Sequence, residues 1–133
     1  MLDLKNVPKE LQFALDEKGY DKLTSVQSLV LDPSNSGKDL LVSSQTGSGK
    51  TLAYGLSISC DGLEEIIDED NKLKTLIVTP TRELALQVFN ELAWLFSKTS
   101  ITISTAIGGM DIKKERNNIR NGVDLLIGTP GRI

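Results

Sequence analysis

The stretch Ser43-Ser44-Gln45-Thr46-Gly47-Ser48-Gly49-Lys50-Thr51 constrains this chain more than any other. It follows the apolar run Leu40-Leu41-Val42 and precedes Leu52-Ala53-Tyr54-Gly55-Leu56, so the expected order is a short buried strand, a glycine-containing loop and a helix. Gly47 and Gly49 admit backbone angles closed to residues with a Cβ, which lets successive N–H groups turn inward around phosphate oxygens. The helix behind the loop adds unpaired N–H groups and the positive end of its dipole at the same place. In the pattern G-x-x-x-x-G-K-[ST] the lysine, here Lys50, reaches the β/γ-phosphates and the following hydroxyl, here Thr51, binds Mg²⁺. Lys50 and Thr51 are therefore the candidate catalytic residues, Thr51 also the candidate metal ligand, and Ser44, Gln45, Thr46, Gly47, Ser48 and Gly49 form the cradle. Ser44 stands where the pattern has its first glycine; the competing reading is a Gly/Ser loop with a chance Lys-Thr.

A chain of 133 residues holds at most one domain, long enough for a core but short for a complete nucleotide-hydrolysing machine. Its apolar fraction of 39% and charged fraction of 25% are those of a soluble globular chain. No run of 18 apolar residues occurs, and Met1-Leu2-Asp3-Leu4-Lys5 lacks the basic start and apolar centre of a signal peptide, so a cytoplasmic location and no membrane partner are expected. A lone Cys60 and the absence of histidine exclude an internal disulfide and a Cys/His metal cluster. The net charge of −3 argues against gripping nucleic acid by a bulk positive field, so any such contact uses few, placed groups. The acids Asp61, Glu64, Glu65, Asp68, Glu69 and Asp70 read as a solvated helix end and surface loop rather than a metal site. Lys113, Lys114, Arg116 and Arg120 read as a solvated helix face.

Along the chain, Pro8 opens a first helix that Gly19 stops, with Leu11, Ala14 and Leu15 on its apolar face. Thr24 is a plausible N-cap for a short helix running to Pro33, and Ser34-Asn35-Ser36-Gly37 is a turn. A helix is expected from Lys50 to about Cys60. Lys74-Thr75-Leu76-Ile77-Val78-Thr79 has the continuous apolar and β-branched character of a strand buried on both faces of a parallel sheet. Pro80-Thr81-Arg82-Glu83 opens a long helix carrying Leu84, Ala85, Val88, Leu92 and Leu95 at helical spacing. A strand over residues 101–106, a helix capped by Asp111 and ending near Asn121-Gly122, and a fourth strand over residues 123–127 complete the pattern. This alternation predicts an α/β fold: a parallel sheet with helices on both faces, cut short after its fourth strand, whose exposed edge would be a stability hazard. Ligands of such sheets gather at the carboxyl ends of the strands. The phosphate loop, the segment from Thr79, the segment Ile107-Gly108-Gly109 and the segment Gly128-Thr129-Pro130-Gly131-Arg132 all directly follow strands and are expected to share one edge.

The order of these segments resembles that of the DEAD-box RNA helicases. Gly19-Tyr20-Asp21-Lys22-Leu23-Thr24-Ser25-Val26-Gln27 resembles the family's Q motif, and Ser44 to Thr51 resembles motif I, which tolerates a small residue in place of the first glycine. Pro80-Thr81-Arg82-Glu83-Leu84-Ala85-Leu86-Gln87 matches motif Ia; Gly108-Gly109 and Thr129-Pro130-Gly131-Arg132 match the GG doublet and motif Ib. The resemblance implies a P-loop NTPase of RecA-like fold: residues 1–133 as the front part of the first RecA-like helicase domain, with 1–38 as the Q-motif region and 39–133 as the P-loop core. It implies ATP and Mg²⁺ as cofactors, with Tyr20, Lys22, Thr24 and Gln27 joining the cradle in nucleotide binding. Gln27 suits that role because an amide donates and accepts at once, matching the N6 and N7 edge of adenine; Thr24 would bridge to the phosphate loop. Apart from the motif, Gln27 reads as an exposed helix residue and Tyr20 as simple core. Two positions depart from the family: Leu2 stands where an aromatic residue stacks on adenine, and Leu23 where the Q motif has proline, which puts adenine stacking and the loop's shape in question.

The same resemblance makes RNA the partner, gripped by its backbone without sequence preference, since phosphate contacts position a strand but read no bases. Arg82 and Arg132 lie at helix starts after strands, where a guanidinium and exposed N–H groups bind one phosphate together. Pro80, Thr81, Gly108, Gly109, Thr129, Pro130 and Gly131 would complete the surface. The alternative for the two arginines is a structural ion pair, with Glu83 a candidate partner. The Asp-Glu-Ala-Asp motif, the Ser-Ala-Thr motif and the second RecA-like domain with its arginine fingers are not in these residues. A supplied arginine alone is worth about 10³ to 10⁵ in rate, so efficient hydrolysis is expected only of a full-length ATP-dependent RNA helicase that closes two domains on ATP and RNA and pries apart a short duplex. The competing readings are a nucleotide- or RNA-binding module without turnover, and a P-loop enzyme of another class such as a small-molecule kinase. RNA against DNA turns on contacts to the 2′-OH, and the sequence leaves both that choice and the oligomeric state open.

Overall fold

The computed structural model describes residues 4–60, 73–109 and 111–133. They fall into two compact units, one drawn from residues 1–63 and 95–99 and the other from residues 64–94 and 100–133. The acidic run at 61–70 and Leu2 lie outside the described residues.

The first unit contains α1 (Lys9–Glu17), α2 (Ser25–Val30), a 3-10 turn (Pro33–Asn35) and α3 (Lys50–Cys60). α1 starts behind Pro8, whose missing N–H costs nothing at a helix start, and stops before Gly19 at φ +77°. Its Leu11, Ala14 and Leu15 are buried, the face their spacing predicts. The Gln12 amide fastens the preceding turn by donating to the Leu4 and Val7 carbonyls at 3.1 and 2.7 Å. α2 opens with a capping box: the Thr24 hydroxyl accepts from the Gln27 N–H, and the Gln27 side chain accepts from the Thr24 N–H. α2 packs on α3, which buries Leu52, Ala53 and Leu56.

The second unit is built from β1 (Thr75–Val78), α4 (Arg82–Leu95), β2 (Ile103–Ala106), α5 (Ile112–Arg120) and β3 (Leu125–Gly128). α5 begins where expected, the Asp111 carboxylate accepting from the Lys113 N–H at 2.9 Å, and it ends at Asn121 before Gly122. The three strands are parallel in the order β1, β3, β2, with Thr75 and Ile103 both level with Leu125, and Val78 and Ala106 both level with Gly128. Pairing continues past the strand ends, from the Thr79 N–H to the Gly128 carbonyl and from the Thr129 N–H to the Ala106 carbonyl. The loops after β1, β2 and β3 therefore leave the sheet side by side at one edge.

Three expectations are corrected. The run Leu40-Leu41-Val42 is neither strand nor buried: Leu41 is 101% exposed, and no described strand pairs with it. An apolar run becomes a buried strand only when another segment supplies its hydrogen bonds and cover. β1 is an edge strand half-buried on alternate residues, Thr75 and Ile77, leaving Leu76 45% and Val78 55% exposed, rather than covered on both faces. The last strand leaves no edge of its own, because its crossover places it between the two earlier ones. All four of its residues are buried, and each of Leu125, Leu126 and Ile127 gains about 1.5–3 kcal/mol from that burial. Among the described residues no helix is long and apolar enough to cross a membrane.

Candidate nucleotide site and nucleic-acid interface

In the first unit the cradle lies between Val42 and α3. The Ser48 N–H closes a turn onto the Gln45 carbonyl at 3.2 Å, and the Ser44 and Ser48 hydroxyls meet across it at 2.7 Å. Ser44 thus contributes a hydrogen bond that a glycine at its position lacks. The Lys50 ammonium folds back over the loop, donating to the Ser44 carbonyl at 2.5 Å and the Gln45 carbonyl at 3.0 Å. A phosphate taking up Lys50 would replace these neutral acceptors with a charged one, a stronger partner for an ammonium. Thr51 is half-buried in the first turn of α3. Gln45, Thr46 and Gly47 are exposed, so the mouth of the loop is open to solvent.

Gln27 is 1% exposed, which removes the reading of it as a surface residue. Its Oε1 accepts from the Thr24 N–H at 3.0 Å and its Nε2 donates to the Gly49 carbonyl at 3.2 Å, in the last residue of the loop before Lys50. One amide thereby joins the start of α2 to the phosphate loop. Gly49 is required at that meeting point: its φ is +85°, and a Cβ there would lie 2.5 Å from Gln27 Nε2 and 3.3 Å from the Thr24 hydroxyl. An adenine base reaches this amide only after the side chain gives up part of its present network. Tyr20 is 38% exposed, so it is not simple core. Lys22 is exposed and Leu23 half-buried.

The join makes a prediction. Gln27→Glu keeps an acceptor for the Thr24 N–H but presents oxygen, not N–H, to the Gly49 carbonyl. The lost bond and the buried charge together are expected to lower stability by about 1–3 kcal/mol, read from denaturant unfolding; an unchanged midpoint would show that the Gln27 contact to the loop contributes nothing.

In the second unit Arg82 begins α4, after the Thr81 hydroxyl has capped the helix by accepting from the Leu84 N–H at 3.2 Å. Its guanidinium is seated against the glycine doublet. A Cβ on Gly108 would lie 2.6 Å from Arg82 Nη2, and one on Gly109 would lie 2.6 Å from Nη1. The doublet therefore makes room for a cation, and motif Ia and the doublet form one surface. Arg132 stands after β3 and donates from Nε to Glu115 Oε1 at 3.2 Å, so its ion pair is with Glu115 and not Glu83. Pro80, Gly109, Pro130 and Gly131 are exposed, and Gly108 and Thr129 are half-buried. Lys113, Lys114, Arg116 and Arg120 are all exposed on α5.

Glu115 is the residue that sequence reasoning missed. It sits between Ile112 and Ile119 at three- and four-residue spacing on one helix face; both isoleucines are exposed, and Glu115 is the residue of α5 that is buried. A carboxylate on that face was the available signal.

A parallel α/β sheet whose loops emerge side by side and, in the other unit, a glycine loop running into α3 are each features of the P-loop class of fold. The DEAD/DEAH box helicase family model matches residues 24–133. The ATP-dependent RNA helicase HAS1 of Chaetomium globosum is 39% identical over 129 residues, covering 96% of this chain and 22% of the relative. The ATP-dependent RNA helicase RhlB of Vibrio atlanticus is 37% identical over 135 residues, covering 98% of this chain and 30% of the relative. Among solved structures, the RNA helicase Prp28 of Chaetomium thermophilum bound to ADP superposes with a TM-score of 0.82 at 31% identity, over 98% of this chain and 32% of that one. The DEAD-box helicase Mss116 bound to single-stranded RNA and UDP-BeF superposes with a TM-score of 0.83 at 29% identity, over 95% of this chain and 26% of that one. This chain belongs to the DEAD/DEAH box helicase family, and it spans under a third of the length of each of these two curated relatives.

Proposed function

We propose that these residues bind ATP and the backbone of RNA, and that in the complete helicase they couple ATP hydrolysis to the separation of a short RNA duplex. Residues 1–133 are then the front part of the first RecA-like domain, with residues 1–38 as the Q-motif region and 39–133 as the P-loop core. The observation that carries this reading is the hydrogen bond from Gln27 to the Gly49 carbonyl, which ties the proposed adenine reader to the proposed phosphate cradle.

In this reading, Lys50 exchanges the Ser44 and Gln45 carbonyls for β/γ-phosphate oxygens, and the loop N–H groups around Gly47 and Gly49 receive the remaining oxygens. Gln27 turns its amide to the N6 and N7 edge of adenine, with Tyr20, Lys22 and Thr24 lining that side. The donor set fits a Mg²⁺ that arrives with the nucleotide: the Thr51 hydroxyl supplies one hard oxygen, and among the described residues no group of three acidic or thiol side chains offers a separate metal cage. When bound, Mg²⁺ would neutralise charge on the phosphates. Arg82, seated on Gly108 and Gly109, and Arg132, beside Thr129, Pro130 and Gly131, take RNA phosphates, with Pro80 and Thr81 at the same rim. The Asp-Glu-Ala-Asp and Ser-Ala-Thr motifs and the second RecA-like domain with its arginine fingers supply what these residues lack for turnover. The same lack favours the second reading for residues 1–133 taken alone, a module that binds without hydrolysing, and appreciable ATP hydrolysis by that piece would remove it.

Two measurements test the proposal. The ATPase rate of the full-length protein is expected to rise on adding RNA; a rate indifferent to RNA counts against it. Arg82→Ala and Arg132→Ala are each expected to weaken single-stranded RNA binding uniformly across sequences and to lower the slope of log affinity against log salt by about 0.7. Unchanged affinity in the double variant would remove the RNA-backbone reading of the two arginines.

A further inference from the structure

Glu115 lies among the exposed cations of α5, yet it is only 6% exposed. Its Oε2 accepts from the Ile107 N–H at 2.7 Å, and its Oε1 accepts from Arg132 Nε at 3.2 Å. Ile107 directly precedes the glycine doublet on which the Arg82 guanidinium rests. One carboxylate therefore fastens the loop after β2 and the arginine after β3, at the edge where both loops emerge.

Burying a carboxylate is costly, and the cost is offset only by charge-assisted hydrogen bonds of good geometry. An apolar side chain would fill an inward position on α5 without that cost. What glutamate adds is direction: holding Arg132 by Nε fixes the plane of the guanidinium, and holding the Ile107 N–H fixes the start of the loop that carries Gly108 and Gly109. We propose that Glu115 is a positioning residue for the RNA-phosphate surface, orienting Arg132 and the glycine doublet so that they engage neighbouring phosphates together. The inference rests on the RNA-backbone reading of Arg132 given above.

Glu115→Gln separates the two tasks. The Ile107 N–H is buried and needs an acceptor, so the new amide oxygen stays with it. The amide N–H₂ then faces Arg132 Nε, donor against donor, so the hold of residue 115 on the arginine is lost while the loop remains held. The experiment is fluorescence anisotropy of a labelled oligouridine titrated with the full-length protein at several salt concentrations, for wild type, Arg132→Ala, Glu115→Gln and the double variant. Thermal midpoint and ATP-analogue affinity are measured alongside.

Positioning predicts that Glu115→Gln weakens RNA binding about tenfold, the lower end of what one hydrogen bond to a charged group contributes. It also predicts no further loss on the Arg132→Ala background, with nucleotide affinity unchanged and the thermal midpoint lowered no more than Arg132→Ala lowers it. Mere neutralisation of Arg132 predicts the opposite sign: removing the negative charge tightens RNA binding and steepens the salt slope, and that result overturns the proposal. A parallel fall in thermal midpoint, nucleotide affinity and RNA affinity also overturns it, because it marks a purely structural role. If wild type binds the oligouridine and Arg132→Ala binds it equally well, the RNA-backbone reading of Arg132 fails and this inference fails with it. A loss in Arg132→Ala that Glu115→Gln does not share removes the inference alone.

Discussion

Lys50→Ala is expected to raise the dissociation constant for ATP at least about 100-fold while the fold survives. The ammonium makes two hydrogen bonds to loop carbonyls, at 2.5 and 3.0 Å, and in the proposed complex both are exchanged for phosphate oxygens. Each hydrogen bond involving a charged group contributes about 1.5–3 kcal/mol. Two of them exceed the roughly 2.8 kcal/mol that a 100-fold change requires. The folded state loses much less, because Lys50 is only half-buried and its partners are carbonyls of an open loop that water can satisfy. Titration of a fluorescent ATP analogue measures the first quantity and thermal unfolding the second. An ATP affinity within threefold of wild type, allowing roughly 0.7 kcal/mol, would remove the phosphate cradle from the interpretation.

The second large effect is on stability. Gly49→Ala forces a Cβ onto a residue at φ +85°, a strain of roughly 1–2 kcal/mol. It also places that atom 2.5 Å from Gln27 Nε2. Gln27 cannot swing aside freely, since it is 1% exposed and bound to Thr24 and to the carbonyl of Gly49 itself. Losing that contact adds about 1–3 kcal/mol, so the total is expected at about 2–5 kcal/mol by denaturant unfolding. Gly47→Ala provides the comparison: its φ is +80°, but nothing lies within 4 Å of the added Cβ, so only the strain is felt. Truncating Gln27 to Ala should relieve part of the Gly49→Ala penalty, a coupling visible in a double-mutant cycle. Equal costs at Gly47 and Gly49 would mean that Gln27 does not press on the loop.

The lesson of Gln27 and Glu115 is the same from opposite directions. The amide of Gln27 was marked by its motif, but its burial and its bond to Gly49, 22 residues away in sequence, were not visible locally. Glu115 had no motif at all, only an inward helical position. Its meaning depends on Arg132, 17 residues further on, and on the backbone of Ile107.

What the amino-acid sequence determined by itself was the set of features decided within a few residues. Pro8, Thr24 and Asp111 start their helices, and Gly19 and Gly122 end two of them, because caps and backbone sterics act between near neighbours. The alternation of strand and helix, and with it the α/β class, follows from the same short-range patterns. Tertiary structure alone decided that Leu41 is bare, that β3 lies between β1 and β2, and that Arg132 pairs with Glu115 rather than Glu83. Burial and ion pairing depend on which distant segment arrives to cover a side chain, and an apolar run or a charge carries no record of that partner.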